Sequence, residues 1–440
     1  SCSAAPNTTC AEIMTDPFFT RRKFLRTVIL GGAIAPTVPS FVNRTFAALD
    51  GVAGASFTPA TGKDNTILVV MQLAGGNDGL NTVIPYSDDA YFKARPGLAI
   101  PAAKVHRLDD RCGLHPSLEN LASLLGEGQA SIVQGVGYPN PNRSHFRATE
   151  IWQTASDADK NAAHGWLGRY CDAACSGEDA GAGIAIGDQL PQALRSESGK
   201  SIAIGAPQDY QFQSGMDPAP MEPDDDAGAP AGGSIDMLFG ASDPDVNVAD
   251  FLQRTALDAV ASSTQVQDIL RKAHRGADYP ATDLGRRLRL VAQLIGGGMT
   301  SRVYYVSLGG FDTHANQAGA HQRQLAVFDQ AVGAFCRDMK EQGNFDRVMM
   351  LTFSEFGRRV AQNASNGTDH GAAAPLFLFG GALRGGLVGE HPSLTKLHRG
   401  DLVHHTDFRR VYATLLDQWL KTPSAAVLGR SFGDLPLLRG

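Results

Sequence analysis

The sequence predicts an α/β protein of three layers, α/β/α, around a mostly parallel central sheet. Three observations predict it. Continuous apolar runs recur along the chain without polar alternation, as in strands covered on both faces. Stretches with helical spacing separate them, the alternation that gives parallel sheets. Several runs also empty into a glycine-rich or polar turn that carries acid or imidazole groups. The chain has 440 residues, 43% hydrophobic and 19% charged. That composition gives a folded chain with a large core, not a disordered one. Its formal charge is −6, and the basic residues form no stripe with interleaved aromatics, which excludes nucleic acid as an expected partner.

The first 60 residues read as an export signal and linker. Thr20-Arg21-Arg22-Lys23-Phe24-Leu25 precedes the mildly apolar Val28–Ala35. Paired arginines before a weak hydrophobic run form the pattern of a twin-arginine signal, so the export machinery is an expected partner and the periplasm or exterior the expected location. The run is too short and too rich in Gly and Pro for a stable membrane anchor.

Residues 61–440 read as one domain. Thr66–Leu73 is a fully buried strand that leads into Ala74-Gly75-Gly76-Asn77-Asp78. Leu114–Leu125 has helical spacing, and Ala130–Val136 is a second apolar strand. A polar loop then opens at Ser144 onto a helix through Trp152. Ile202–Gly205 is a short strand. Residues 209–247 are a Pro/Gly/Asp-rich insertion, expected at the surface or as a lid. Helical stretches follow at about 247–275 and 282–296. Val303–Leu308 is a strand leading to Asp312-Thr313-His314, and a long helix covers about 318–342. Val348–Phe353 leads to Glu355, Asp369-His370 precedes a strand at Pro375–Gly380, and the last helix spans about 407–420.

Three apolar strands thus end near Asp78, Asp312 with His314, and Glu355. Ligands of parallel α/β sheets bind where the loops at strand carboxyl ends converge. Carboxylates and imidazoles meeting there suit a divalent metal. Taken singly, Asp78 serves equally well as a turn cap, Asp312 as a helix N-cap, and Glu355 as an ion-pair partner of Arg358 or Arg359. The Asp369–His370 pair beside Gly371 has little packing purpose. Ser144, at a helix start, is the candidate nucleophile: orphan amides and the helix dipole favour a tetrahedral anion there, and Arg143 and Arg147 add donors. A bound metal would lower the hydroxyl's pKa. The bland alternative is that Ser144 only caps its helix. His145 reads as a supporting or surface imidazole. Six cysteines lack zinc spacing, and Cys171 and Cys175 are either a disulfide or two buried thiols one helical turn apart.

These segments resemble the DUF1501 family of exported bacterial proteins. The resemblance is carried by Leu73–Asn81, Gly113-Leu114-His115-Pro116, Arg143-Ser144-His145-Phe146, Asp312–Gln317, Ser354–Arg358, Gly367–Gly371 and Thr406–Arg409. The family resembles the alkaline phosphatase and sulfatase superfamily. That resemblance implies an alkaline-phosphatase-like fold and one or two divalent metals, zinc first, with Mg, Ca or Mn as alternatives. It implies Ser144 as nucleophile and Asp78, Asp312, His314, Glu355, Asp369 and His370 around the metals. Two departures stand out: Glu355-Phe356 replaces the usual Asp-His, and Asp312 and His314 are closer than is common. No Cys/Ser-x-Pro-x-Arg segment is present, which removes the formylglycine route. The expected function is exported, metal-dependent hydrolysis of a phosphate ester, or less favourably a sulfate ester, on a small molecule or polymer. The alternative is a non-catalytic protein that keeps this fold for envelope or surface-polymer handling.

Overall fold

The computed structural model describes residues 66–175, 181–205, 266, 268–271 and 276–439. The expected export signal, the 209–247 insertion and most of the 247–275 helix lie outside the described residues.

Among the described residues nine strands form the main sheet: β1 (Ile67–Leu73), β2 (Ala130–Gly137), β3 (Gly183–Ile186), β4 (Ser201–Ile204), β5 (Val303–Leu308), β6 (Val348–Phe353), β7 (Ala374–Phe379), β8 (Gly386–Val388) and β9 (Thr406–Asp407). Their order is β8-β2-β7-β6-β1-β5-β3-β4, with β9 also pairing β2. Every pairing is parallel except those of β7, which opposes both β6 and β2.

All seven residues of β1 are buried, and the twofold period of a strand divides them between two cores. Ile67, Val69, Met71 and Leu73 enter one cluster. There they meet the apolar faces of α2 (Glu119–Gly126), α5 (Asp283–Gly296) and α6 (Gln317–Glu341). Leu68 and Val70 enter the other. That cluster is closed by α3 (His145–Thr154), α4 (Trp166–Ala174), α7 (Phe408–Thr414) and α8 (Ser424–Leu428). The described residues therefore form three layers, α/β/α. Burying one such aliphatic side chain contributes about 2 kcal/mol, which is why neither face of the sheet carries a polar stripe.

Helix α6 shows how the pattern sets the layer. Its buried positions include His321, Leu325, Phe328, Val332, Phe335 and Met339, the three- and four-residue spacing of one helical face. The expected 282–296, 318–342 and 144–152 helices agree with α5, α6 and α3 within one or two residues. Two expectations need correction, and of the two readings of Cys171 and Cys175 the second holds. Leu114 lies in a short antiparallel strand with Gly113, and the helix after it begins only at Glu119, because Pro116 and the turn at Ser117-Leu118 delay it. The helix expected over 407–420 changes to a π-helical turn at Leu415–Trp419. Cys171 and Cys175 are free, buried thiols. Among the described residues no helix is long and apolar enough to cross a membrane.

Candidate metal centre

The direction of β7 explains how the site assembles. β1, β5 and β6 present their carboxyl ends at one edge of the sheet, and so does β2, which leads into α3. Because β7 runs the other way, it brings its amino end, with the Asp369-His370 loop, to that same edge. Close backbone approach then packs the loops together. Gly75 has φ +116°, and a Cβ there would lie 2.4 Å from the Asp312 amide nitrogen, so only glycine lets the β1 turn rest on the β5 turn.

Among the described residues, His145, Asp312 and His370 form a group whose ligand atoms all lie within 4.8 Å of one another. His314 adjoins it: its Nε2 is 3.0 Å from Asp312 Oδ1 and 2.9 Å from His370 Nε2. Two of the imidazoles, His370 and His145, are held through their other nitrogen, while that of His314 only faces a carboxylate. His370 Nδ1 donates to the carbonyl of Arg143 at 2.8 Å, which leaves Nε2 unprotonated in the neutral ring. His145 Nδ1 lies 2.9 Å from Glu355 Oε1, and that oxygen also accepts from the Gly75 amide at 2.8 Å. His314 Nδ1 lies 3.6 Å from Asp369 Oδ1. Carboxylate or carbonyl anchors behind histidines are the usual means of orienting metal ligands. Phe356, buried, backs two of the rings, with centroids 4.3 Å from His370 and 4.9 Å from His145.

Asp312 is fixed from below by Arg358, whose Nη2 donates to Oδ1 at 2.8 Å. Burial tends to raise the Asp312 carboxyl, but the hydrogen bond and charge of Arg358, with the adjoining His370 and His314 rings, bring it down to about 2. Burial holds His370 below its ordinary value, against the pull of the Arg143 carbonyl and Asp312. An ionised carboxylate beside a neutral His370 is the protonation state a cation needs. Glu355 is 2% exposed and its Oε2 has no hydrogen-bond partner among the described residues. A buried, unpaired carboxylate oxygen behind a histidine costs energy unless positive charge gathers nearby. The donor set therefore fits a divalent cation, with nitrogen and oxygen ligands of the zinc type.

The other expected residues are placed differently. Asp78 is fully buried and is ion-paired with Arg95 Nη1 at 2.5 Å, with Gln317 Nε2 donating to the same oxygen. Burial alone would raise its pKa, but the Arg95 charge and these hydrogen bonds hold it below the ordinary value. Asp78 is thus committed to an internal ion pair and stands outside the three-residue group. The sequence gives no sign of Arg95 as its partner. Arg147 also turns away: it pairs with Glu150 at 2.7 Å and donates to the carbonyls of Ala158 and Lys160, because its position one turn into α3 faces the 157–160 loop. Arg143 contributes its carbonyl to His370, while its guanidinium pairs with Asp401. Ser144 occupies the N-cap of α3, is exposed, and makes no side-chain capping bond; its hydroxyl is not used by its own helix. His145, expected as a supporting or surface ring, lies inside the cluster. Its position directly after Ser144 at the helix start was the available signal, since the first turn of that helix faces the strand ends.

The fold and this cluster define a layered α/β protein with a histidine–carboxylate centre at the carboxyl edge of its sheet. The chain belongs to the family described as "Protein of unknown function (DUF1501)", whose model matches residues 64–434. No curated protein matches it. Among solved structures it is similar to the lipoteichoic acid synthase LtaP from Listeria monocytogenes, at 9% identity and TM-score 0.37, over 88% of this chain and 79% of that one. It is similar to the zinc complex of the C-terminal periplasmic domain of EcEptC from Escherichia coli, at 10% identity and TM-score 0.35, over 74% and 76%. A protein in the alkaline phosphatase superfamily from Vibrio parahaemolyticus matches at 9% identity and TM-score 0.32, over 77% and 68%.

Proposed function

We propose that the protein is an exported, metal-dependent hydrolase of phosphate esters, with sulfate esters the less favoured substrate. The observation that supports this best is the convergence of His145, His314 and His370 on Asp312, with His145 and His370 anchored through their far nitrogens. His145, Asp312, His370 and His314 would hold the cation, with Glu355 and Asp369 orienting two of the rings. A divalent ion there, zinc or alternatively Mg, Ca or Mn, would supply Lewis acidity and lower the pKa of a neighbouring hydroxyl. The chain's own residues do the rest. Ser144 presents a free hydroxyl at the start of α3, where the helix amides and dipole favour an incoming anion. Arg358 keeps Asp312 ionised and in place. Export follows from the Arg21-Arg22 segment.

Metal analysis of the purified protein, with a phosphatase and sulfatase panel on wild type and Ser144→Ala, tests the proposal. A divalent metal and turnover lost with Ser144 are expected. Bound metal without Ser144-dependent turnover would reject the serine mechanism, and no metal at all would reject the reading. One observation favours the second reading, a non-catalytic binding protein of the same fold: Arg143 and Arg147 are both engaged by Asp401 and Glu150, which leaves neither guanidinium free to hold an ester's oxygens. Under that reading the panel returns no turnover while metal is retained.

A further inference from the structure

The cluster lies at one end of a cleft that continues along the sheet edge. One arm, about 600 Å³, is bordered by Asp312, His145, Glu355 and Phe146. A second, about 450 Å³, is bordered by Arg195, Arg287 and Asp188 at the ends of β3 and β5. Gln72 and Gln192 line both arms, so the two adjoin. β1 and β3, which the first and second arms reach, are two strand spacings apart, about 10 Å.

Gln72 sits at the seam and is 8% exposed. Its Oε1 accepts from the Tyr305 hydroxyl at 2.6 Å and from Gln153 Nε2 at 3.3 Å. Those bonds fix which end of the amide is the oxygen and leave its NH2 group, without a partner among the described residues, on the side of the cleft it lines. A buried carboxamide locked so that only its donor is free is built to meet an acceptor. Beyond it, Arg287 is steadied by the Ser307 carbonyl at 3.0 Å through one nitrogen, while Arg195 is exposed and makes no side-chain hydrogen bond or ion pair among the described residues. Among the described residues that border that arm Asp188 is the only carboxylate, against two arginines. Phe146 is 90% exposed beside His145, an apolar face that a soluble protein leaves bare mainly where something packs on it.

We propose that this cleft recognises a polyanionic ester. One anionic group sits at the cluster and a second, about 10 Å along a chain of phosphate- or sulfate-bearing units, meets Arg195 and Arg287. Gln72 donates to the segment between them and Phe146 packs against the unit next to the cluster. The inference rests on the hydrolase reading for the identity of the first group, but it is read by binding and not by turnover.

Calorimetric titration of the full chain at low salt, with phenyl phosphate, a hexaphosphate chain and a sulfated heparin tetrasaccharide, tests it. At least one oligoanion is expected to bind about tenfold tighter than phenyl phosphate, the gain of added charge-assisted contacts in a wet cleft. Preference for hexaphosphate assigns a phosphate polymer, and preference for the tetrasaccharide a sulfated saccharide. Arg195→Gln/Arg287→Gln, two changes outside the core, should remove that excess and leave phenyl phosphate binding unchanged; Gln72→Leu should weaken the oligoanion several-fold. Equal affinity for all three probes, or an excess that survives the double substitution, would overturn the cleft assignment whatever the turnover. Tight oligoanion binding without hydrolysis of any ester would overturn the hydrolase reading and leave the cleft standing.

Discussion

Arg358 ties three strand-end loops to one carboxylate. Its guanidinium donates to the carbonyls of Gly75, Gly76, Phe311 and Thr368 and to Asp312 Oδ1, and its side chain has no exposure. A lysine has neither the planar fork nor the reach to replace it. Arg358→Lys should cost about 3 kcal/mol of stability, the scale for breaking a buried charged network, and should weaken metal affinity as Asp312 loses its support. Denaturant titration and metal titration of the same variant check both; a variant as stable as wild type with unaltered affinity contradicts the role. At this scale the sequence was partly informative. Asp312 and His370 stand out because acid and imidazole groups beside glycines at strand ends have few packing uses. His145 and Arg358 do not, since an imidazole after a helix N-cap and an arginine near a glutamate fit many ordinary surroundings. Asp78 stands out for the wrong reason: Arg95, its partner, lies far enough along the chain that only the folded structure brings them together.

Elements set the site through their direction and their turns. The Gly75 turn is a sharp example, because alanine there meets both a φ of +116° and the Asp312 backbone. Gly75→Ala should lower the melting temperature and displace the amide that binds Glu355, and thermal melts with metal titration measure this. Behind the same turn, α6 delivers His321, whose Nε2 lies 2.9 Å from Asn77 Oδ1, with His115 packed edge-on at 6.0 Å. Burial pushes His321 down to about 4, against the pull of Asp78, and it likewise lowers His115 to about 4. In the unfolded chain both titrate near 6.5, so below that pH the unfolded state binds protons that the folded state refuses. Stability is therefore complete above about pH 6.5 and falls towards pH 4, each histidine contributing on the order of 3 kcal/mol to the loss. The lowered Asp78 adds loss in the same direction at still lower pH. His321→Gln should remove one of the two histidine contributions, flattening the fall between pH 6.5 and 4 in denaturant midpoints; an unchanged slope contradicts this account. The long strands and α5 and α6 were readable because their apolar periods are unbroken. β3, with the sequence Gly183-Ile184-Ala185-Ile186, and the three-residue β8 are too short and too rich in small residues to give a period. They become strands because neighbouring edges complete their hydrogen bonds.

For the whole molecule, two cores back one sheet whose carboxyl edge holds the cluster and the cleft. The three-layer architecture was readable from the recurrence of fully apolar strands, whereas the antiparallel β7 was not, since direction leaves no trace in composition. That reversal is what brings His370 to the same edge as Asp312 and Glu355. If the cluster holds a cation, binding must stabilise the folded chain by mass action, by about 2.7 kcal/mol at a hundredfold excess over the dissociation constant. Chelation should then lower the melting temperature and zinc restore it. The most direct test is the metal content of the purified protein after dialysis, measured beside His145→Ala and His370→Ala variants that remain folded. One or two equivalents of a divalent ion in wild type, lost from both variants, is the expected result; a wild-type protein that takes up no zinc, magnesium, calcium or manganese, or variants that keep the full complement, would contradict a metal centre built on these residues.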